Sequence, residues 1–149
     1  MESLRIPGRL DSLDQIASFI KQATTDADLD KKAAYQLRLA VDEIATNIII
    51  HGYEEAGLTG DLHLSFEIDE RTLTVSIADT ATPYNPYDHA LPNQEDLKQP
   101  LEQRQIGGLG IYLVLQGVDK FIYQRVDNQN HNIFIMNRPN KDTIHTDLP

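Results

Sequence analysis

The sequence contains no cysteine and no tryptophan, and only two methionines. The missing cysteine excludes disulfide frameworks, thiolate nucleophiles and cysteine-ligated zinc or iron–sulfur centres. Cations are also scarce: 13 Lys and Arg stand against 23 Asp and Glu, a formal net charge of −10. A surface this acidic repels phosphate backbones and anionic bilayers. It argues against nucleic acid and membrane as partners, while leaving room for one local anion pocket. The longest unbroken aliphatic run, Ile48-Ile49-Ile50, falls far short of a membrane span. The opening stretch MESLRIPGRL lacks the apolar segment of a signal peptide, so a cytoplasmic protein is expected. No G-x-x-x-x-G-K-[ST] loop, G-x-S-x-G elbow or H-E-x-x-H helix occurs. The five histidines are scattered without metal-ligand spacing, and Lys31-Lys32 reads as a solvated helix face.

What is present suits one compact domain: 149 residues, 40% of them hydrophobic. The expected domain covers 1–138, with a polar tail over 139–149. Residues Ser3–Ile6 read as an edge strand closed by Pro7-Gly8. Leu13, Ile16, Ala17 and Ile20 recur at helical spacing, with Asp11 or Ser12 as N-cap, and the polar stretch Thr24–Asp28 ends that helix. A second helix is predicted from about Asp30 to His51, stopped by Gly52. Its apolar stripe is Leu37, Val41, Ile44 and Ile48. The β-branched run Ile48–Ile50 is a weak helix former that only tertiary packing would hold. Asp61–Ile68 and the run through Leu73, Val75 and Ile77 alternate as strands. The short Asp69-Glu70-Arg71 link makes them a hairpin. Periodicity then stops. Asp79–Ile106 carries Pro83, Pro86, Pro92 and Pro100, and irregular loops this long in compact domains are usually functional. A short helix over Ile111–Gly117 and a strand pair, Lys120–Arg125 and Asn132–Asn137, complete the pattern.

Three segments carry chemistry. Glu43 and Asn47 lie four residues apart on the second helix and therefore share a face. A carboxamide oxygen suits Mg²⁺ when phosphate and water fill the other positions, and a carboxylate one turn away can orient or deprotonate a hydroxyl. The same pair is also an ordinary helix-surface contact worth a few tenths of a kcal/mol, on the order of 0.3. Asp79 closes a buried strand. It can accept from an exocyclic amine such as the 6-amino group of adenine, or simply make an Asx-turn. Gly107-Gly108-Leu109-Gly110 precedes a helix. Its backbone N–H groups and the helix terminus can cradle an anion, or the glycines can merely ease the loop into the helix.

In order and spacing, these segments resemble the Bergerat-fold (GHKL) ATPases, and more closely the bacterial anti-sigma factor serine kinases of the SpoIIAB and RsbW type. Glu43-x-x-x-Asn47 resembles the N box. Asp79 with Pro83 resembles the first glycine-containing box, and Gly107 to Val114 the second. His51-Gly52-Tyr53 after the N box also fits. The resemblance covers roughly residues 4–138. It implies an α+β two-layer sandwich, a mixed, mostly antiparallel sheet covered on one face by helices. It implies ATP and Mg²⁺, with Glu43 as catalytic base and Asn47 as metal ligand. Asp79 and Pro83 would serve the adenine end, Gly107, Gly108, Leu109 and Gly110 the phosphates, and Arg104 would reach the γ-phosphate from a lid over 79–106. It further implies a protein serine/threonine kinase acting on a STAS-domain anti-sigma factor antagonist, binding a sigma factor or equivalent regulator, and forming a homodimer.

Two positions depart from that pattern. Ala81 stands where the first box usually has glycine; if the turn needs positive φ, it costs on the order of 1 kcal/mol. Ile135 lies in the late strand where relatives often place a threonine that assists adenine binding. Both departures motivate a second reading, a partner-binding switch that transfers no phosphate.

Overall fold

The computed structural model describes residues 1–86, 88 and 106–139, with side chains omitted at 106–109 and 112. Five strands form one sheet: β1 (Glu2–Pro7), β2 (Asp61–Ile68), β3 (Thr72–Asp79), β4 (Lys120–Val126) and β5 (Gln129–Asn137). Their order is β1-β2-β3-β5-β4. All four pairings are antiparallel, where a mixed sheet was expected. The reason is the connectivity. The β2–β3 and β4–β5 pairs are hairpins, and β5 returns beside β3 in the opposite sense.

Both hairpins have local chemistry behind them. Asp69 Oδ1 accepts from the Arg71 and Thr72 backbone N–H groups, each at 2.7 Å, and so closes β2 onto β3. At the other turn Asp127 (φ 52°) and Asn128 (φ 63°) both adopt left-handed backbone, the pairing that tight hairpins favour and that these residue types tolerate.

Helices cover one sheet face. α1 (Leu13–Asp26) and α2 (Lys31–Asn47) are joined by a short turn, and α3 (Ile106–Leu115) packs beside α2. Asp30 caps α2, accepting from Ala33 N at 2.8 Å. The expected stripe is the buried one: Leu37, Val41, Ile44 and Ile48 face Leu62, Leu64, Leu73, Val75 and Ile77 of the sheet. Each such side chain contributes about 1.5–3 kcal/mol on burial.

The second helix departs from expectation at its end. Gly52 does not stop it. A π-helical segment continues over Ile48–Glu54, and the chain turns at Gly57 (φ 68°). Glu55 N donates to Ile50 O at 2.9 Å, a five-residue step. The wider turn places Tyr53 in the core. It also lays Gly52 on the chain leaving β3, so close that a Cβ there would stand 2.8 Å from the Ala81 Cβ. No helix among the described residues is long and apolar enough to cross a membrane.

Candidate functional site

Two approaches assemble the site: Gly110 of α3 lies on Glu43 of α2, and the chain leaving β3 lies on Gly52 in the π-helical segment that continues α2. Asn47 is buried and donates through Nδ2 to Glu43 Oε1 at 3.4 Å, which leaves its own oxygen outside that contact. Partial burial pushes the Glu43 carboxyl above its ordinary 4.5. The Asn47 donor opposes this rise and the neighbouring Asp42 charge adds to it. Gly110 of α3 lies directly against the Glu43 carboxylate.

Asp79 is 3% exposed. Its Oδ1 accepts from Ala81 N at 2.9 Å and from Asn130 Nδ2 at 2.8 Å. Its Oδ2 is buried and bonded to nothing among the described residues. Asp79 therefore makes the Asx-turn and keeps one free acceptor besides. Burial pushes its carboxyl above 3.8, against the lowering effect of Asn130, the Ala81 N–H and Arg125. Asn130 is the hub. Its amide nitrogen also donates to Ala81 O at 3.1 Å and Thr82 O at 3.2 Å, while its oxygen accepts from the Tyr123 hydroxyl and from Arg125 Nη1 at 3.0 Å. Arg125 Nη1 donates to Ala81 O as well, at 3.1 Å.

The turn after Asp79 is held from the other side by the π-helical segment. Tyr53 Oη accepts from Thr80 N at 3.1 Å and donates to Asp61 O at 2.9 Å. Thr82 donates through N and Oγ1 to Gly52 O, at 3.3 and 3.2 Å. The His51 ring stacks on Tyr84, centroids 5.8 Å apart and planes 11° apart, while its Nδ1 lies 2.9 Å from Glu55 Oε2. Burial pushes the Tyr84 hydroxyl above 10.0, with the Glu43 and then the Glu55 charge adding to the rise.

The sequence-derived residues fall as follows. Glu43, Asn47 and Gly110 come together, with Asp79 at the neighbouring strand exit. Pro83 is exposed. Arg104 and most of the 79–106 lid lie outside the described residues. The short helix begins at Ile106, not Ile111, so Gly107, Gly108 and Leu109 form its first turn instead of preceding it. The first four N–H groups of a helix have no intrahelical partner, so this backbone still offers free donors there.

Ala81 is not among the residues with positive φ, and its methyl packs on Gly52. Ile135 pairs with Thr74 and Lys120 on the sheet face opposite Phe134 and Met136, away from Asp79. The inward residues of β5 near Asp79 are Asn130 and Asn132. Asn132 is 1% exposed, and its side-chain oxygen likewise lacks a partner among the described residues. The strand parity could have revealed both: Asn130 and Asn132 share the parity of buried Phe134 and Met136.

The sequence profile of the histidine kinase-like ATPase domain matches residues 6–136. The serine/threonine-protein kinase BtrW of Bordetella bronchiseptica is 31% identical over 97 residues, covering 65% of this chain and 66% of that protein. The anti-sigma F factor of Bacillus licheniformis is 31% identical over 86 residues, covering 58% and 51%. The matches thus span between half and two thirds of these curated relatives. In fold, the chain is similar to the histidine kinase domain of the Erythrobacter litoralis EL346 blue-light activated histidine kinase. The TM-score is 0.50 at 16% identity, covering 92% of this chain and 64% of the other.

Proposed function

The chain belongs to the histidine kinase-like ATPase domain family, and on that premise we propose that it binds ATP and passes the γ-phosphate to a serine of a partner protein. The observation that carries the reading is Asp79 Oδ2, buried and without a hydrogen-bond partner among the described residues. An acceptor left without a donor in the interior costs about 1–3 kcal/mol, and an exocyclic amine such as that of adenine would satisfy it.

The residues fit a metal that arrives with its nucleotide. Among the described residues no three His, Asp or Glu side chains converge to hold an ion, so most ligands must come from phosphate and water. Asn47 Oδ1 would be the protein's contribution. When bound, Mg²⁺ neutralises charge on the β- and γ-phosphates. The chain's own residues do the rest. Free N–H groups at the start of α3 hold phosphate oxygens, and Glu43 holds the serine hydroxyl. In the transfer step the serine oxygen bonds to the γ-phosphorus, the bond from that phosphorus to the departing ADP oxygen breaks, and the hydroxyl proton passes to Glu43. The raised Glu43 pKa makes it a better proton acceptor than a solvated glutamate.

The relatives named as a kinase and as an anti-sigma factor support the further reading that the acceptor is a STAS-domain antagonist and the sequestered partner a sigma factor or equivalent regulator. A homodimer is part of the same proposal. The test has two arms. Thermal-shift titration with Mg²⁺-ATP should raise the melting temperature of the wild type and fail to do so for Asp79→Ala. Incubation with [γ-³²P]ATP and a STAS-domain protein should label that protein, and Glu43→Gln should abolish the labelling. No shift with ATP would overturn the whole reading. A shift without labelling would leave a nucleotide-dependent binding switch.

A further inference from the structure

α1 and α2 leave a second feature, on the N-terminal half of α2. A groove of about 410 Å³ runs between them. α1 presents Ala17, Ile20, Lys21 and Thr24, and α2 presents Lys31, Ala34, Tyr35 and Arg38. Each set has the i, i+3, i+4, i+7 spacing of a helix stripe that packs on another helix. Here Ile20 and Thr24 are turned into the core, Ala17 and Ala34 are half-buried, and Lys21, Lys31, Tyr35 and Arg38 reach solvent along the groove. Its floor is small and apolar, and its rim is basic. Lys21, Lys31 and Arg38 are exposed, and among the described residues none of them makes an ion pair and no carboxylate lines the groove. On a chain of net charge −10, three unpaired cations around one apolar trough are a local reversal of sign. Tyr35 is 60% exposed there, and Leu39, one turn further along, is 40% exposed. These are large apolar side chains left in water on an otherwise well-packed helix.

We infer that this groove is a docking surface for an acidic amphipathic helix of a partner protein, whose apolar stripe lies on Ala17, Ala34 and the exposed ring of Tyr35 and whose carboxylates meet Lys21, Lys31 and Arg38. A third helix laid along two packed helices is the arrangement that ridge-into-groove packing allows. Charge complementarity selects an acidic occupant, because a second copy of the chain would bring the same three cations face to face. Arg38, the groove residue nearest the site, lies five residues before Glu43, about 7.5 Å along the helix axis and about 140° round it. Docking here therefore leaves the nucleotide end of α2 open. The inference concerns binding alone and goes beyond the proposed phosphotransfer.

The test is an NMR titration of the full ¹⁵N-labelled chain with an 18-residue peptide of Leu and Glu arranged to be helical and amphipathic. Saturable shifts at Ala17, Lys21, Ala34 and Arg38 are expected. Lys21→Glu combined with Arg38→Glu should weaken binding at least about tenfold, and Tyr35→Ala about threefold, both without changing the melting temperature shift with Mg²⁺-ATP. The matched Leu and Lys peptide should not bind. Equal binding of both peptides would overturn the inference, as would shifts scattered over other surfaces. So would saturation by anionic phosphatidylglycerol vesicles in place of the peptide, or a dimer that Tyr35→Ala dissociates.

Discussion

The Cα of Gly110 lies so near the Glu43 carboxylate that a Cβ built on it would stand 2.7 Å from Oε1 and 3.2 Å from Cδ. The glycine at this position of α3 is what gives the acid its room. In an ordinary helix, Gly to Ala adds about 1 kcal/mol of stability through backbone entropy. Here the methyl must displace the group proposed to take the proton. Gly110→Ala should therefore keep or raise the melting temperature while lowering phosphotransfer to a protein acceptor by about tenfold or more. Unchanged transfer rates would show that Glu43 does not act from this position.

Asp79→Asn separates stability from binding. Burial raises the Asp79 carboxyl above 3.8, so the folded chain binds that proton more tightly than the unfolded chain does. This group's contribution to stability then falls as pH rises from about 3.8 through the raised value. Asn keeps the Oδ1 acceptor for Ala81 and Asn130 without the charge. The variant should melt at or above the wild type at pH 7, with the difference shrinking towards acid pH. It should lose affinity for ATP more than for a pyrophosphate analogue. Thermal melts across pH and isothermal titration provide both readouts.

Asn130→Ala should be costly in both respects. It leaves Asp79 Oδ1 with the Ala81 N–H alone, removes a bond each from Ala81 O and Thr82 O, strands the Tyr123 hydroxyl and leaves Arg125 Nη1 with Ala81 O alone. Losing buried partners of this kind costs about 1–3 kcal/mol. Denaturant unfolding should show that loss, and ATP affinity should fall with it. Asn130→Asp places a second carboxylate against Asp79, so its destabilisation should ease as pH is lowered.

Asn47→Ala tests the metal end of the site. Asn47 makes one long bond, to Glu43, so the fold should survive while Mg²⁺-ATP binding is lost. Calorimetric titration with and without magnesium would show it, and unchanged affinity would remove Asn47 from the role.

Glu43 sets the acid limb of the pH profile. A proton-accepting carboxylate must be ionised, so transfer should rise with pH through an apparent pKa above 4.5. Asp42 contributes to that elevation, so Asp42→Asn should move the limb to lower pH while Glu43→Gln removes transfer altogether. A limb that ignores Asp42→Asn would point to a different titrating group.

Much of this was legible from periodicity. The stripe Leu37, Val41, Ile44 and Ile48 identified the buried face of α2, and alternation identified the β2–β3 hairpin. The four-residue step from Glu43 to Asn47 placed both on one face because helix geometry alone fixes it. What escaped depends on long-range contact. The π-helical segment is stabilised by Gly52 lying on Ala81, residues 29 apart in sequence, and no local pattern encodes that approach. The Asn130 hub was missed because Gln129–His131 is polar and looks like a turn. Yet it pairs with both neighbours and carries the first inward position of β5. Ile135 lies on the sheet face opposite Asp79, because alternate residues of a strand face opposite sides.

The π-helical segment at Ile48–Glu54 is in effect an α-helix with a surplus residue. Excising one isoleucine would let the backbone wind back to a regular pitch, locally more comfortable than before. It would also rotate Gly52 by about 100° and carry it off Ala81, so that the peptide following Asp79 lost the surface it leans on. Shortening the chain here would thus tidy the helix and disarm the cleft, which explains why regularity is a poor guide to improving this stretch of sequence.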